Sequence, residues 1–201
     1  MPAEEEIERL MPYREAVVRE CPVPVSGDTF KAETASTAWQ AGADILNDIW
    51  GLQYTSEPGA MALVAAEAGC PVVVMHNRDS KTYTKDIIEE MQDFFRQSIA
   101  VAVAAGINQS QLILDPGIGF GKTAEGNLEV LRRQEELLTI DGEVYPLLLG
   151  TSRKSFMDKT LGLAVGERME ATGATCVLGI TKGAGIVRVH DVEPIARMCR
   201  M

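Results

Sequence analysis

The sequence predicts an α/β fold of the (β/α)8 barrel type, and three observations support this. Short β-rich runs alternate with longer segments whose apolar residues recur at helical spacing. The runs are hydrophobic throughout, which is typical of parallel strands covered by helices. Polar residues follow nearly every run, and in a barrel the carboxyl ends of the strands converge on one mouth. We therefore expect successive strand–helix units of a barrel.

Six strands and six helices are predicted from these patterns. The strands are Val23–Ser26, Asp44–Asp48, Pro71–His76, Gln111–Asp115, Tyr145–Thr151 and Ile186–His190. The helices are Glu4–Arg19, Ala32–Ala41, Ala60–Ala68, Asp86–Ala105, Asn127–Leu138 and Glu167–Gly179. No linker or change of composition divides the chain, so residues 1–201 are expected to form a single domain.

A complete barrel has eight strands and typically about 250 residues, whereas this chain has 201. About six of the eight strands are therefore expected here, with the missing pair before Met1. The alternative is an open doubly wound sheet, but no GxGxxG follows the first strand. The barrel is preferred because an open sheet would spread the polar strand ends along an edge. These strand-end residues are Asp28, Asn47, Asp48, His76, Asn77, Asp115, Ser152, Lys154, Arg188 and His190.

Composition excludes several classes of function. A formal net charge of −10 argues against a nucleic-acid or anionic-membrane partner, because no broad basic face is available to phosphates. No apolar run reaches the roughly 18 residues that span a bilayer. The four cysteines show no metal-ligand spacing and are expected to be reduced thiols of a cytoplasmic protein.

Six motifs occur in order, each at a strand end or in the loop that follows. They are GADILNDIWG (42–51), VVVMHN (72–77), LILDPGIGFGKT (112–123), PLLLGTSRKSF (146–156), ATGAT (171–175) and VRVHDV (187–192). On these motifs the chain resembles the dihydropteroate synthases along nearly its entire length. The resemblance implies a transferase of folate biosynthesis and a target of sulfonamides. The implied reaction condenses 4-aminobenzoate with 6-hydroxymethyl-7,8-dihydropterin diphosphate and releases diphosphate.

The resemblance also implies a pterin site. A carboxylate can accept both donors of the fork formed by the pterin 2-amino group and ring N–H, and Asp115 matches that role. Without its motif, Asp115 would be read as a cap for the following backbone amides. Asp48 is expected to be a structural loop residue. The implied pterin-binding residues are Asp28, Asn47, Met75, Asp115, Phe120, Lys154 and Arg188.

Further roles follow from the same resemblance. Lys154 and Ser155 match the aminobenzoate-binding residues. Asn47, Arg188 and His190 match the residues that bind diphosphate, and Arg188 and His190 alternate on one face of the last predicted strand. The residues implied to be catalytic are Asp28, Lys154 and Arg188. Gly27 replaces a β-branched residue of the family, which puts the positioning of the adjacent Asp28 in question.

Magnesium is the implied cofactor, but the family's metal-binding Asn belongs to an N-terminal loop that this sequence lacks. The chain is therefore expected to bind pterin diphosphate with little turnover by itself. A pterin-binding pseudoenzyme or fragment is one alternative. A pterin-dependent methyltransferase barrel is another, although GTSRKSF points away from it. The resemblance also implies a homodimer.

Overall fold

The computed structural model describes residues 2–201, without the side chains of Met11, Tyr13, Arg14, Glu15 and Val18 in the first helix. Its helices are α1 (Ala3–Glu20), α2 (Ala32–Gln40), α3 (Ala60–Ala68), α4 (Ile87–Ala105), α5 (Ala124–Arg132), α6 (Phe156–Leu161), α7 (Met169–Thr181) and α8 (Val192–Arg200). Its strands are β1 (Ser26–Asp28), β2 (Ile45–Asp48), β3 (Val72–Met75), β4 (Leu112–Asp115), β5 (Thr139–Ile140), β6 (Glu143–Val144), β7 (Leu148–Leu149) and β8 (Ile186–Val187). All six predicted strands are present, as β1–β4, β7 and β8.

The chain divides into two compact units. The first unit consists of the chain up to Met75 together with Gln97–Ile113. The second unit consists of His76–Arg96 and Leu114–Met201. The expectation of one domain over residues 1–201 stays a prediction. No helix within residues 2–201 combines the length and apolar character needed to cross a bilayer.

In the first unit, β1, β2 and β3 form a parallel sheet in that order. The register sets Asp28 beside Asn47, and Asn47 beside Val73. Every residue of β3 is buried, as the continuous apolar run predicted. The carboxyl ends of β1 and β2 therefore bring two of the predicted site residues side by side.

In the second unit, parallel pairing links the end of β4 to β7 and then β8. Leu114 forms a bridge with Leu147, and Leu148 and Leu149 pair with Ile186 and Val187. The backbone N–H of His76 donates to the carbonyl of Asp115. This ladder brings the carboxyl ends of β4, β7 and β8 to the same edge of the unit, where the predicted polar side chains begin.

Several predicted boundaries are wrong. The strand predicted as Tyr145–Thr151 is reduced to Leu148–Leu149. The first strand begins at Ser26, three residues later than predicted, and ends at Asp28. The last strand ends at Val187, so Arg188 and His190 lie just beyond it, although the Arg188 N–H still donates to the Leu149 carbonyl. The helix predicted as Asn127–Leu138 instead stops at Arg132 and is followed by a separate 3-10 turn, Gln134–Leu137.

The early end of α5 has a physical cause in Gln134. This side chain is fully buried and its amide donates to the Gly179 carbonyl at 2.9 Å. If the α-helix continued through Gln134, the backbone would follow a different path and the side-chain amide would not be placed in the same way against Gly179. The sequence analysis also missed the hairpin of β5 and β6, whose Asp141-Gly142 turn carries positive φ at both residues.

The packing of α7 against β7 fixes the strand that precedes the loop 150–155. A Cβ at Gly179 would lie 2.2 Å from Cδ2 of Leu149, which is fully buried. We predict that Gly179→Ala lowers the free energy of unfolding. Overpacking costs about 1–3 kcal/mol, which exceeds the gain of about 0.5–1 kcal/mol for alanine over glycine in a helix. Urea denaturation measures the difference.

Gly173→Ala is the matched control, in the same helix. Its Cβ would approach Met198 Sδ at the same 2.2 Å. Methionine is flexible and Met198 is only half-buried, so the side chain can move away. Equal losses in the two variants would contradict the role assigned to the Gly179–Leu149 contact.

Candidate functional site

Asp115 ends β4 and is the most deeply buried of the predicted site carboxylates, at 1% exposure. Its Oδ1 accepts the Gly117 N–H at 2.7 Å. Its Oδ2 accepts no hydrogen bond from any residue between 2 and 201. Burial raises the pKa of Asp115, and the Gly117 N–H together with three nearby cations opposes that rise. One carboxylate oxygen is therefore satisfied within the protein, and the other has hydrogen-bonding capacity for a ligand.

The three cations are Arg188, Lys122 and Lys154, and with Asp115 they form what we call the strand-end cluster. The Arg188 guanidinium lies near the Asp115 carboxylate, with Nη2 3.6 Å from Oδ2. Its side chain is 39% exposed. A Cβ at Gly150 would lie 3.4 Å from Nη2, so the guanidinium lies against the backbone at the end of β7.

Lys154 lies over Phe120, its ammonium nitrogen 4.1 Å from the ring centroid. Such a cation–π contact is favourable for an ammonium on an aromatic face. A Cβ at Gly119 would stand 2.9 Å from Lys154 Cδ, so the lysine stem runs along that glycine. The structure thus brings the predicted residues Asp115, Phe120, Lys154 and Arg188 into one unit.

His190 and Ser152 form a second polar group of the same unit. The His190 N–H donates to Ser152 Oγ at 3.1 Å, and the His190 Nδ1 lies 2.8 Å from the same oxygen. Ser152 is buried and His190 is exposed. Ser155, at the start of α6, is exposed and makes no side-chain capping bond. The aminobenzoate and diphosphate roles of Ser155 and His190 stay predictions.

The remaining predicted residues belong to the first unit. Asp28 is exposed at the end of β1, whereas Asn47 is 1% exposed and Met75 fully buried. Asp48 is structural, as expected: its carboxylate accepts the N–H groups of Trp50 and Leu52. Burial raises the pKa of Asp48 to about 6, against the effect of those two N–H donors.

Gly27 has a steric explanation. A Cβ there would lie 3.3 Å from that of Ala38 and 3.7 Å from that of Ala43. The β-branched residue of the family would therefore crowd α2 unless these neighbours moved. A mostly apolar cavity of about 330 Å³ adjoins this strand, and both Gly27 and Asp28 line it.

Sequence reasoning missed the roles of Lys122 and His76. Lys122 is only 4% exposed, and its Nζ lies 2.9 Å from the Nδ1 of His76. Burial lowers the pKa of His76 well below its usual value, and the charges of Lys122 and Arg78 act in the same direction. Only the position of His76 at the end of a buried apolar run hinted at an internal role.

The glycine-rich loop 117–121 also contacts the segment that follows β3. The Tyr83 hydroxyl donates to the Gly121 carbonyl at 3.0 Å. Arg78 stacks on the Tyr83 ring at 4.4 Å and pairs with Glu90 at 2.6 Å. The loop is therefore packed against protein rather than extended into solvent.

The described side chains do not match the ligand set of the implied magnesium ion. Within residues 2–201, no group of three or more His, Cys, Asp or Glu side chains could hold a metal ion. The strand-end cluster is mainly cationic, which does not suit a divalent cation as a ligand set. The residues described do not form a magnesium site by themselves.

Comparison with known proteins identifies the class first. A sequence model of the pterin-binding enzymes matches residues 1–190. Dihydropteroate synthase from Clostridium difficile, crystallised in the presence of pteroic acid, is 43% identical with a TM-score of 0.94; the match covers all of this chain and 74% of that one. The Yersinia pestis enzyme in a sulfonamide complex is 36% identical with a TM-score of 0.91, covering 100% and 73%. The predicted α/β fold of the TIM-barrel type is thereby confirmed.

The curated relatives identify the family. Dihydropteroate synthase from Bacillus subtilis is 48% identical over 98% of this chain and 67% of its own length. The Clostridium beijerinckii enzyme is 45% identical over 98% and 71%. The chain belongs to the dihydropteroate synthase family, transferases of folate biosynthesis. This supports the synthase over the methyltransferase alternative.

The packing of the loop 117–121 generates a prediction at Gly121. This residue has φ +54°, and a Cβ would lie 2.4 Å from Arg78 Cγ and 2.7 Å from the Arg78 carbonyl oxygen. We expect Gly121→Ala to be destabilised by about 1–3 kcal/mol more than a glycine replaced without a clash. The free energy of unfolding in urea measures this.

Gly142→Ala is the matched control, since Gly142 has φ +87° and a Cβ there meets no atom within 4 Å. Both variants place alanine in the left-handed region, which costs about 1–2 kcal/mol. Only Gly121→Ala adds the collision with Arg78. A larger loss in Gly142→Ala would refute the close packing of this loop.

Proposed function

We propose that the chain binds 6-hydroxymethyl-7,8-dihydropterin diphosphate and 4-aminobenzoate and takes part in their condensation to 7,8-dihydropteroate and diphosphate. The observation that carries this proposal is Asp115. It is a buried carboxylate with one oxygen that accepts no hydrogen bond from residues 2–201, surrounded by three cations. Family membership supports the same reaction.

Asp115 binds the pterin in this proposal. The 2-amino group and the adjacent ring N–H donate to its two oxygens, as a guanidinium does to a carboxylate. Oδ2 is available, and Oδ1 has a second lone pair beside the one that accepts from Gly117. The neighbouring cations favour the ionised carboxylate.

Lys154 and Arg188 bind the rest of the substrate. The Lys154 ammonium, on Phe120, donates to the pterin carbonyl and ring nitrogen and, with Ser155, contacts the aminobenzoate carboxylate. Arg188 stacks on the pterin and, with His190, binds the diphosphate. For Asn47, in the first unit, the diphosphate role rests on the family resemblance alone. Guanidinium binds phosphate oxygens in pairs, which suits this role. Met75 forms an apolar wall.

The chemistry exchanges one bond for another at the pterin methylene carbon. The bond from that carbon to the diphosphate oxygen breaks, and its electron pair leaves with diphosphate. The aminobenzoate amine then forms the new C–N bond and afterwards loses a proton to solvent. Arg188 and His190 stabilise the charge that develops on the leaving group, and Asp28 stabilises the cationic methylene pterin.

Magnesium bound to the diphosphate would further neutralise the leaving group. No residue of the described chain is proposed as its ligand, and no step above depends on it. We also propose a cytoplasmic location, in agreement with the four free cysteine thiols. A homodimer is supported by exposed apolar side chains on α7, namely Val177, Leu178 and Ile180.

Asp115→Asn tests the pterin site. An amide keeps one acceptor but places an NH2 group against the pterin donors. We expect the affinity for pterin diphosphate to fall by about 10- to 100-fold, the usual effect of a lost hydrogen bond to a charged group. Calorimetric titration measures the dissociation constant, and melting temperatures confirm that both proteins are folded.

The control is Asp141→Asn, which changes the same atoms in the β5–β6 turn of the same unit. Asp141 has φ +50°, which asparagine tolerates, and pairs with Arg96 at the surface. We expect unchanged affinity. Equal binding by the Asp115→Asn variant and the wild type would overturn the proposal for Asp115.

A coupled assay for diphosphate release then separates binding from catalysis. Turnover that requires aminobenzoate and is inhibited by a sulfonamide supports the full reaction. Pterin binding without turnover supports the alternative of a non-catalytic pterin-binding protein. Turnover that is indifferent to aminobenzoate would contradict the synthase reaction.

A further inference from the structure

We propose that Lys122 is a positioning residue of the pterin site, holding the loop 117–121 in the conformation that Asp115 and Lys154 require. This inference rests on the proposed function, because it assigns a role in that same site. Its basis is geometric: Lys122 directly follows the loop, and its ammonium nitrogen lies within hydrogen-bonding distance of three acceptors.

The three acceptors of Lys122 are all uncharged. Its Nζ lies 2.9 Å from His76 Nδ1 and 3.0 Å from the carbonyl oxygens of both Gly117 and Phe120. An ammonium has three hydrogens, so this arrangement matches a protonated lysine in number. Gly117 is the residue whose N–H donates to Asp115, so the bond to its carbonyl fixes the backbone on the other side of that residue. The bond to the Phe120 carbonyl fixes the residue that lies under Lys154.

The His76 ring is a fixed acceptor. Burial and the nearby charges lower its pKa, which keeps the imidazole neutral. With Lys122 as donor, Nδ1 accepts and the ring hydrogen lies on Nε2. The edge of Phe94 packs against the ring at a centroid distance of 4.9 Å. The acceptor therefore cannot turn away without disturbing α4.

Core stability does not explain a lysine at this position. Burying an ammonium is costly, and no carboxylate within residues 2–201 forms an ion pair with Lys122. Burial lowers the pKa of Lys122 to about 7, Asp115 opposes this, and Arg78 and Lys154 reinforce it. Apolar residues in place of buried charges are often neutral or stabilising. A group retained at such a cost is better explained by the site that it supports.

Lys122 acts on Asp115 in two ways, which different variants separate. Its hydrogen bonds set the loop conformation, and its charge favours the ionised form of Asp115. Lys122→Met removes both effects, whereas Lys122→Arg keeps the charge but changes the geometry. The charged and titratable groups around the pair are Arg78, His76, Lys154 and Arg188.

The first measurement needs no ligand. The 13C carboxyl resonance of Asp115 is titrated by NMR, and the amide resonances of Gly117 and Phe120 are compared among the variants. We expect Lys122→Met to raise the pKa of Asp115, because a positive charge is lost, and to shift both amides. Lys122→Arg should shift the amides and leave the pKa of Asp115 nearly unchanged.

The second measurement is pterin-diphosphate affinity as a function of pH. Binding requires the Asp115 carboxylate, so affinity falls as pH decreases through the pKa of Asp115. Raising that pKa moves this loss of affinity to higher pH in Lys122→Met. The lost loop contacts are expected to weaken binding about tenfold at pH values above that titration. Lys182→Met is the control. Lys182 pairs with Glu135 and precedes β8, so it lies at the opposite end of that strand from Arg188.

The outcomes distinguish this inference from the proposed function. If the wild-type protein binds no pterin and the Lys122 variants still show the expected NMR changes, the proposed function is contradicted and the positioning role of Lys122 stands. Lys122→Met with wild-type affinity and unshifted amides overturns the positioning. A lower melting temperature with an unchanged acid limb also overturns it, because that result indicates packing alone. If Lys122→Met does not fold, Lys122→Gln, which keeps polar contacts without charge, decides by the same readouts.

Discussion

The burial of the Asp115 carboxylate is the constraint on which the second unit depends. A carboxylate closed off from water at the end of a strand is costly, and the single Gly117 N–H satisfies only one of its oxygens. Cationic side chains must compensate, and they can do so only if the neighbouring strand ends approach. The parallel ladder from β4 through β7 to β8 provides that approach. The strand order is thus a requirement of the site as much as of the core.

The same constraint accounts for the glycine-rich loop after β4. A chain that returns its own N–H to Asp115, passes under Lys154 and then contacts Arg78 has no room for side chains at Gly119 and Gly121. Two side chains hold the loop by hydrogen bonds to its carbonyls. Tyr83, which precedes the loop in sequence, donates its hydroxyl to Gly121, and Lys122, which follows the loop, donates its ammonium to Gly117. The loop is therefore ordered by contacts rather than by regular secondary structure. Preorganisation of this kind lowers the cost of ordering groups when a ligand binds.

Many of the strands and strand-end residues could be predicted from the sequence because each has a local signal in it. Continuous apolar runs located β3 and β4. Polar residues at the ends of such runs located Asp115, the last residue of β4, and Arg188, which follows β8. Boundaries failed where a tertiary contact decided them, as at Gln134, whose buried amide bonds to Gly179. The Asp141-Gly142 hairpin did carry a local signal that was overlooked.

Lys122 had no such signal, because nothing near it in sequence shows that its ammonium is buried against His76, 46 residues away. A lysine after three glycines is read as solvated or phosphate-binding until the packing is known. Its position matters because the chain as a whole carries a net charge of −10. Such a field opposes two anionic substrates, and only a local excess of positive charge can reverse it. Three cations around one carboxylate supply that excess, and Asp115 in turn keeps those cations from repelling one another. The carboxylate that we propose to bind the pterin therefore also allows the cations that we propose to bind the diphosphate to gather beside it.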